Sequence, residues 1–113
     1  MPTDSSRLDA DQLRRRDARR RALGFWVRVL RTDAGLTQEQ LAHASGLDRT
    51  TIVHLEAGRR PLLTDRLWDL TAALNVTLAE FFEAVDHDLG VDVRSRAPIT
   101  LAMFDRPAVE GSE

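Results

Sequence analysis

Cysteine is absent from the 113 residues. The chain can therefore form no disulfide scaffold, thiolate nucleophile or cysteine-ligated zinc site. The absence fits a reducing compartment, and the expected location is cytoplasmic. Lysine is absent too: all sixteen basic residues are arginine, which reads as a GC-rich coding bias rather than as chemistry. No apolar run approaches the roughly 18–20 residues of a membrane-spanning helix, so no membrane contact is expected. The charged N-terminus has no apolar stretch behind it, so no secretory signal is expected either. A large charge excess is also missing, with a formal net charge of -2 and a pI near 5.9. Taken whole, that slight acidity speaks against a nucleic-acid partner.

What is present is a composition of 42% hydrophobic and 30% charged residues, which suits one globular domain with a modest core and tails. The charge is unevenly placed. Residues 1–35 hold nine arginines against five aspartates, net +4. Residues 36–60 are neutral, residues 61–88 carry net -5, and residues 89–113 carry net -1. A basic front and an acidic back are one flag for nucleic-acid contact, although a solvated helix with clustered charges gives the same pattern.

Five helices are legible. The first runs from Leu8 to about Thr32, with Leu13, Leu23, Trp26, Val27 and Leu30 as its apolar positions. Gly24 inside it costs about 1 kcal/mol against alanine and is a candidate junction between an N-terminal extension and the first core helix. Gly35 is placed as a C-cap glycine. Thr37 and Gln40 have the spacing of a capping box, starting a second helix that Gly46 stops. Asp48 is the next N-cap, for a third helix through Ile52, Leu55 and Glu56 to Gly58. Thr64 is expected to cap a fourth helix, whose core stripe is Leu67, Leu70, Ala73 and Leu74, closed by Asn75. Thr77 and Glu80 form a second capping box ahead of Leu78, Phe81, Phe82 and Val85. Beyond Gly90, residues 91–104 alternate in a strand-like way, and 107–113 read as disordered.

The most specific signal is residues 37–58, TQEQLAHASGLDRTTIVHLEAG. Two short helices that cross closely need a small residue at the contact, and Ala42 supplies it. The turn between them needs a left-handed position, and Gly46 supplies that. Leu41, Ile52 and Leu55 are spaced to lock one helix onto the other.

With these residues the chain resembles the λ-repressor-like, or Xre/Cro-type, helix-turn-helix family, including small repressors and restriction–modification controller proteins. The resemblance runs from about Phe25 to Phe82. It implies an all-α, five-helix DNA-binding domain over residues 21–88. Residues 1–20 are then an arginine-rich extension, and 89–113 a tail that is a candidate dimerisation or partner-binding segment. It implies that the third helix enters the major groove of double-stranded DNA, and that the protein acts as a homodimer on a palindrome. It implies a phosphate contact at Gln38, beside the cap Thr37, and base reading at His54. It also implies a scaffold ion pair between Arg31 and Glu56.

The residue chemistry supplies the remaining candidates. Arg49, Thr50 and Thr51 follow the Asp48 cap at the start of the recognition helix. Arg49 can take a guanine edge or touch backbone only, and threonine can meet a thymine methyl or a polar edge. Arg59 and Arg60 sit in the loop behind that helix, where backbone contacts are common. Arg14, Arg15, Arg16, Arg19, Arg20 and Arg21 form a dense cluster. It is open to two readings: an arm on DNA, or a solvated helix paired with an acidic neighbour. Trp26, Trp68, Phe81 and Phe82 read first as core, with Phe82 or Trp68 as dimer contacts in the alternative. His43, His54 and His87 lack ligand-like spacing, so neither metal nor cofactor is expected. No nucleophile–base set, carboxylate dyad or phosphate loop is visible, so catalysis is not expected. The alternative function is an antitoxin-type autoregulator that also binds a protein through its C-terminal part.

Overall fold

The computed structural model describes residues 9–91, which form five α-helices and no strand. They are α1 (Ala10–Asp33), α2 (Gln38–Ser45), α3 (Arg49–Glu56), α4 (Thr64–Ala73) and α5 (Leu78–Asp88). The all-α expectation is met. The strand-like segment expected at 91–104 lies, past Val91, outside the described residues, as do 1–6 and 107–113.

Local sequence sets most of the boundaries. Asp9 begins α1 with a full capping box: its carboxylate accepts from the Gln12 N–H at 2.7 Å, and the Gln12 side chain accepts from the Asp9 N–H at 2.9 Å. Thr37 with Gln40 and Thr77 with Glu80 do the same for α2 and α5. Each such cap contributes about 1 kcal/mol. The chain leaves α2 through Gly46 at φ 75° and α4 through Asn75 at φ 62°, both in the left-handed region. Asn tolerates that region better than most side chains.

Thr64 is not a cap. It is the first helical residue of α4, and the extended residue before it is Leu63 (φ -61°, ψ 141°). An apolar side chain there offers no acceptor, and α4 starts without a side-chain cap bond. Asp65 in the first turn places a negative charge near the positive end of the helix dipole instead.

Gly24 does not interrupt α1, which runs unbroken for 24 residues. The glycine is there because α1 crosses the end of α3 at close range. A Cβ on it would lie 2.2 Å from the Leu55 carbonyl oxygen and 2.9 Å from that of Glu56.

The core sits where α1 packs on α3 and α5, and where α2 packs on α3 and α4. Val27, Leu41, Ile52, Leu70 and Phe81 are fully buried at its centre. Each such side chain contributes roughly 1.5–3 kcal/mol. Two sequence expectations need correction. Trp68 is 58% exposed and Phe82 is 37% exposed, so neither is core. Helical geometry explains both. Leu67, Leu70 and Leu74 own the buried stripe of α4, and Trp68 is turned about 100° from Leu67. On α5, Phe81 and Val85 take the inward face and turn Phe82 outward.

Candidate nucleic-acid interface

The helix α3 buries Ile52 and Leu55 and turns its opposite side outward. Arg49 and Thr50 are exposed on its first turn, and Val53 and His54 are half-buried one turn on. Arg49 makes no hydrogen bond or ion pair with any described residue, which leaves its fork of donors unspent. The His54 Nδ1 is shielded from solvent and has no hydrogen-bond partner among the described residues. His54 is therefore seated against the protein rather than freely solvated.

The Asp48 carboxylate accepts the Thr51 N–H at 2.7 Å and fixes the start of α3. Hydrogen bonding from the Thr51 side chain and then its backbone, with the Arg60 charge added, holds the Asp48 carboxyl below its ordinary value. Thr51 is half-buried and tied to this cap. Thr50 is the more open of the two threonines.

At the start of α2, Thr37 accepts from the Gln40 N–H at 3.0 Å, and the Gln40 side chain accepts from Thr37 at 2.8 Å. That box leaves the N–H groups of Gln38 and Glu39 without an intrahelical acceptor, as at any helix start. The Gln38 side chain is half-buried, and its Nε2 donates to Glu56 Oε1 at 3.1 Å. Gln38 is thus held in place from the far end of α3.

Glu56 is the hub of that arrangement. Arg31 grips it at two points, Nε to Oε2 at 2.6 Å and Nη2 to Oε1 at 3.0 Å. The third nitrogen, Nη1, donates to the Leu36 carbonyl at 2.8 Å. The two side chains are only 12% and 5% exposed. The ion pair that the family resemblance implied is therefore present. It links α1, the α1–α2 turn, the start of α2 and the end of α3.

Two further interactions have no counterpart in the sequence pattern. Arg66 of α4 donates to the Gly46 carbonyl at 3.0 Å, which braces the α2–α3 turn. The α1–α3 crossing at Gly24 fixes how far α3 stands off the domain. Both join residues far apart in sequence, and no local pattern announces them. Behind α3, Gly58 turns the chain at φ 72°, and Arg59 and Arg60 follow it, both exposed. Thr37, Gln38, Arg49, Thr50 and His54 thus belong to the exposed or half-buried surface of α2 and α3, with Arg59 and Arg60 on the loop behind.

Among the described residues no cluster of three or more His, Asp or Glu could hold a metal ion. No described helix is long and apolar enough to cross a membrane.

Residues 27–81 match the family model described as helix-turn-helix. Among solved structures, the chain is similar to the restriction–modification controller protein C.AhdI from Aeromonas hydrophila. That match has 38% identity, spans 58% of this chain and 96% of the other, and has a TM-score of 0.56. The wild-type controller protein C.Esp1396I is 32% identical over 63% of this chain and 91% of its own, with a TM-score of 0.59. The clp gene regulator ClgR from Corynebacterium glutamicum is 29% identical over 65% and 78%, with a TM-score of 0.61. No curated protein sequence matches the chain.

Proposed function

The chain belongs to the Xre-like helix-turn-helix family of DNA-binding transcriptional regulators, and we propose that it is a homodimer reading a palindromic operator through α3. The observation that carries this reading is the exposed face of Arg49 and Thr50, without a side-chain partner among the described residues, on a helix locked at both ends. Asp48 fixes the start of α3, and the Arg31–Glu56 pair fixes its end.

In this reading Arg49, Thr50, Thr51 and His54 meet base edges, as residues at the start of a recognition helix do. Thr37, Gln38, Arg59 and Arg60 meet phosphates and set the register of α3 in the groove. The open N–H groups of Gln38 and Glu39 add to the phosphate contact. Trp68 and Phe82, exposed on α4 and α5, supply an aromatic surface suited to a second copy of the chain.

Selection of bound duplexes from a random pool, with the full chain, tests the proposal. It should enrich a two-fold symmetric sequence with half-site centres about 34–36 Å apart. Sedimentation should show a dimer that Trp68→Ala and Phe82→Ala weaken. Enrichment of no sequence, or of one asymmetric site by a monomer, contradicts it.

A further inference from the structure

Six arginines occupy eight consecutive positions, 14–21, and the structure places them on the first half of α1, ahead of the core crossing at Gly24. Like charges at this density repel, so the array gains from anionic partners. Arg14 and Arg15 pair with Asp11, and Arg16 with Asp17. Among the described residues no carboxylate lies within pairing distance of Arg20 or Arg21. Asp88 lines the same shallow groove as Arg21 without pairing with it.

Helical geometry places one of these residues and a close approach places the other. Arg20 lies one turn before Gly24, on the side of α1 that meets the end of α3. Arg21 is placed by contact: a Cβ on Gly58 would meet the Arg21 Cα and Cγ, each at 3.2 Å. Arg59 and Arg60 leave from that same turn. The two arginines do not serve as a C-cap for α3. The Val53, His54 and Leu55 carbonyls already accept from Ala57, Arg59 and Gly58.

We infer that Arg20 and Arg21 extend the phosphate-binding surface of Arg59 and Arg60 onto α1, giving a basic ridge that grips DNA backbone without reading sequence. The inference rests on the proposed DNA-binding function and adds to it a second contact element outside the helix-turn-helix. An unbroken helix anchored by the core at Gly24 holds the ridge rigid, so its charges are presented without the ordering cost of a flexible arm. The ridge also answers the near-neutral charge of the rest of the DNA-facing segment, since residues 36–60 are net 0.

The test is the salt dependence of binding of the full chain to a selected duplex, for wild type, Arg20→Gln/Arg21→Gln and Arg20→Lys/Arg21→Lys. Removing one phosphate-bound cation lowers the slope of log K against log salt by about 0.9. The glutamine variant should lose about one to two units of slope, keep the wild-type sequence preference and keep the wild-type urea midpoint. The lysine variant should keep the wild-type slope. Equal slopes in wild type and glutamine variant, with binding intact, overturn the ridge alone. So does a glutamine variant that only weakens self-association, because the ridge then meets acidic protein. A wild-type chain that binds no duplex overturns the function together with the ridge.

Discussion

Arg31 of α1 holds Glu56, the last residue of α3, through two hydrogen bonds of 2.6 and 3.0 Å. Removing one partner leaves the other nearly buried and uncompensated, which costs about 3–5 kcal/mol. Glu56→Ala should therefore lower unfolding free energy in urea by about that amount. It should also free Gln38, which donates to the same carboxylate. Replacing both charged partners with well-packed apolar residues should recover much of the stability. Full stability in Glu56→Ala would mean that the pair is ornamental.

Gly24 carries the other fixed point of α3. Alanine is the better helix former by about 1 kcal/mol, so propensity alone favours Gly24→Ala. The 2.2 Å approach of the new Cβ to the Leu55 carbonyl outweighs that gain, because the obstacle is backbone and cannot rotate away. The variant should be less stable than wild type, by roughly 1–3 kcal/mol of overpacking. A stability rise in thermal or urea unfolding would refute the crossing geometry.

The caps of α4 and α5 differ, and paired substitutions can show it. Thr77→Ala removes a cap bond and should cost about 1 kcal/mol. Thr64→Ala removes no cap bond and should stay within about 0.5 kcal/mol of wild type. Equal losses in the two variants would restore Thr64 as a cap.

Asp48 predicts a pH dependence. Its carboxyl is held below the ordinary value of 3.8, so the unfolded chain takes up the proton first. The stabilisation is fully present above that ordinary value and is lost as pH falls through the lower folded value. Asp48→Asn should remove this component. The gap between wild type and variant should then shrink as pH is lowered from the ordinary carboxylate value through the lower folded value. A gap that stays constant across that range would show that the Asp48 charge contributes nothing.

Much of this architecture was legible because its determinants are local. Thr37, Asp48 and Thr77 cap helices through bonds three residues long, so spacing alone revealed them. Gly46 and Asn75 marked turns by their tolerance of left-handed backbone. Thr64 misled because its type suits a cap while its backbone is already helical. Trp68 misled because an aromatic suggests burial, although it stands off the Leu67–Leu70–Leu74 stripe. The pairings that spacing did not reveal, Gln38 with Glu56, Arg66 with Gly46 and Gly24 with Leu55, depend on how helices cross. Periodicity along one helix carries no information about that. The ion pair of Arg31 and Glu56 became visible only through the family resemblance.

The central claim is that α3 reads bases through Arg49 and His54. Its most direct test compares wild type with Arg49→Ala/His54→Ala for the ratio of affinity between the selected operator and random duplex. The account predicts that the variant stays folded and still binds DNA through its phosphate-facing residues. Its discrimination should fall by about 1–3 kcal/mol for each base that is no longer read. An unchanged ratio and the same selected sequence would contradict it.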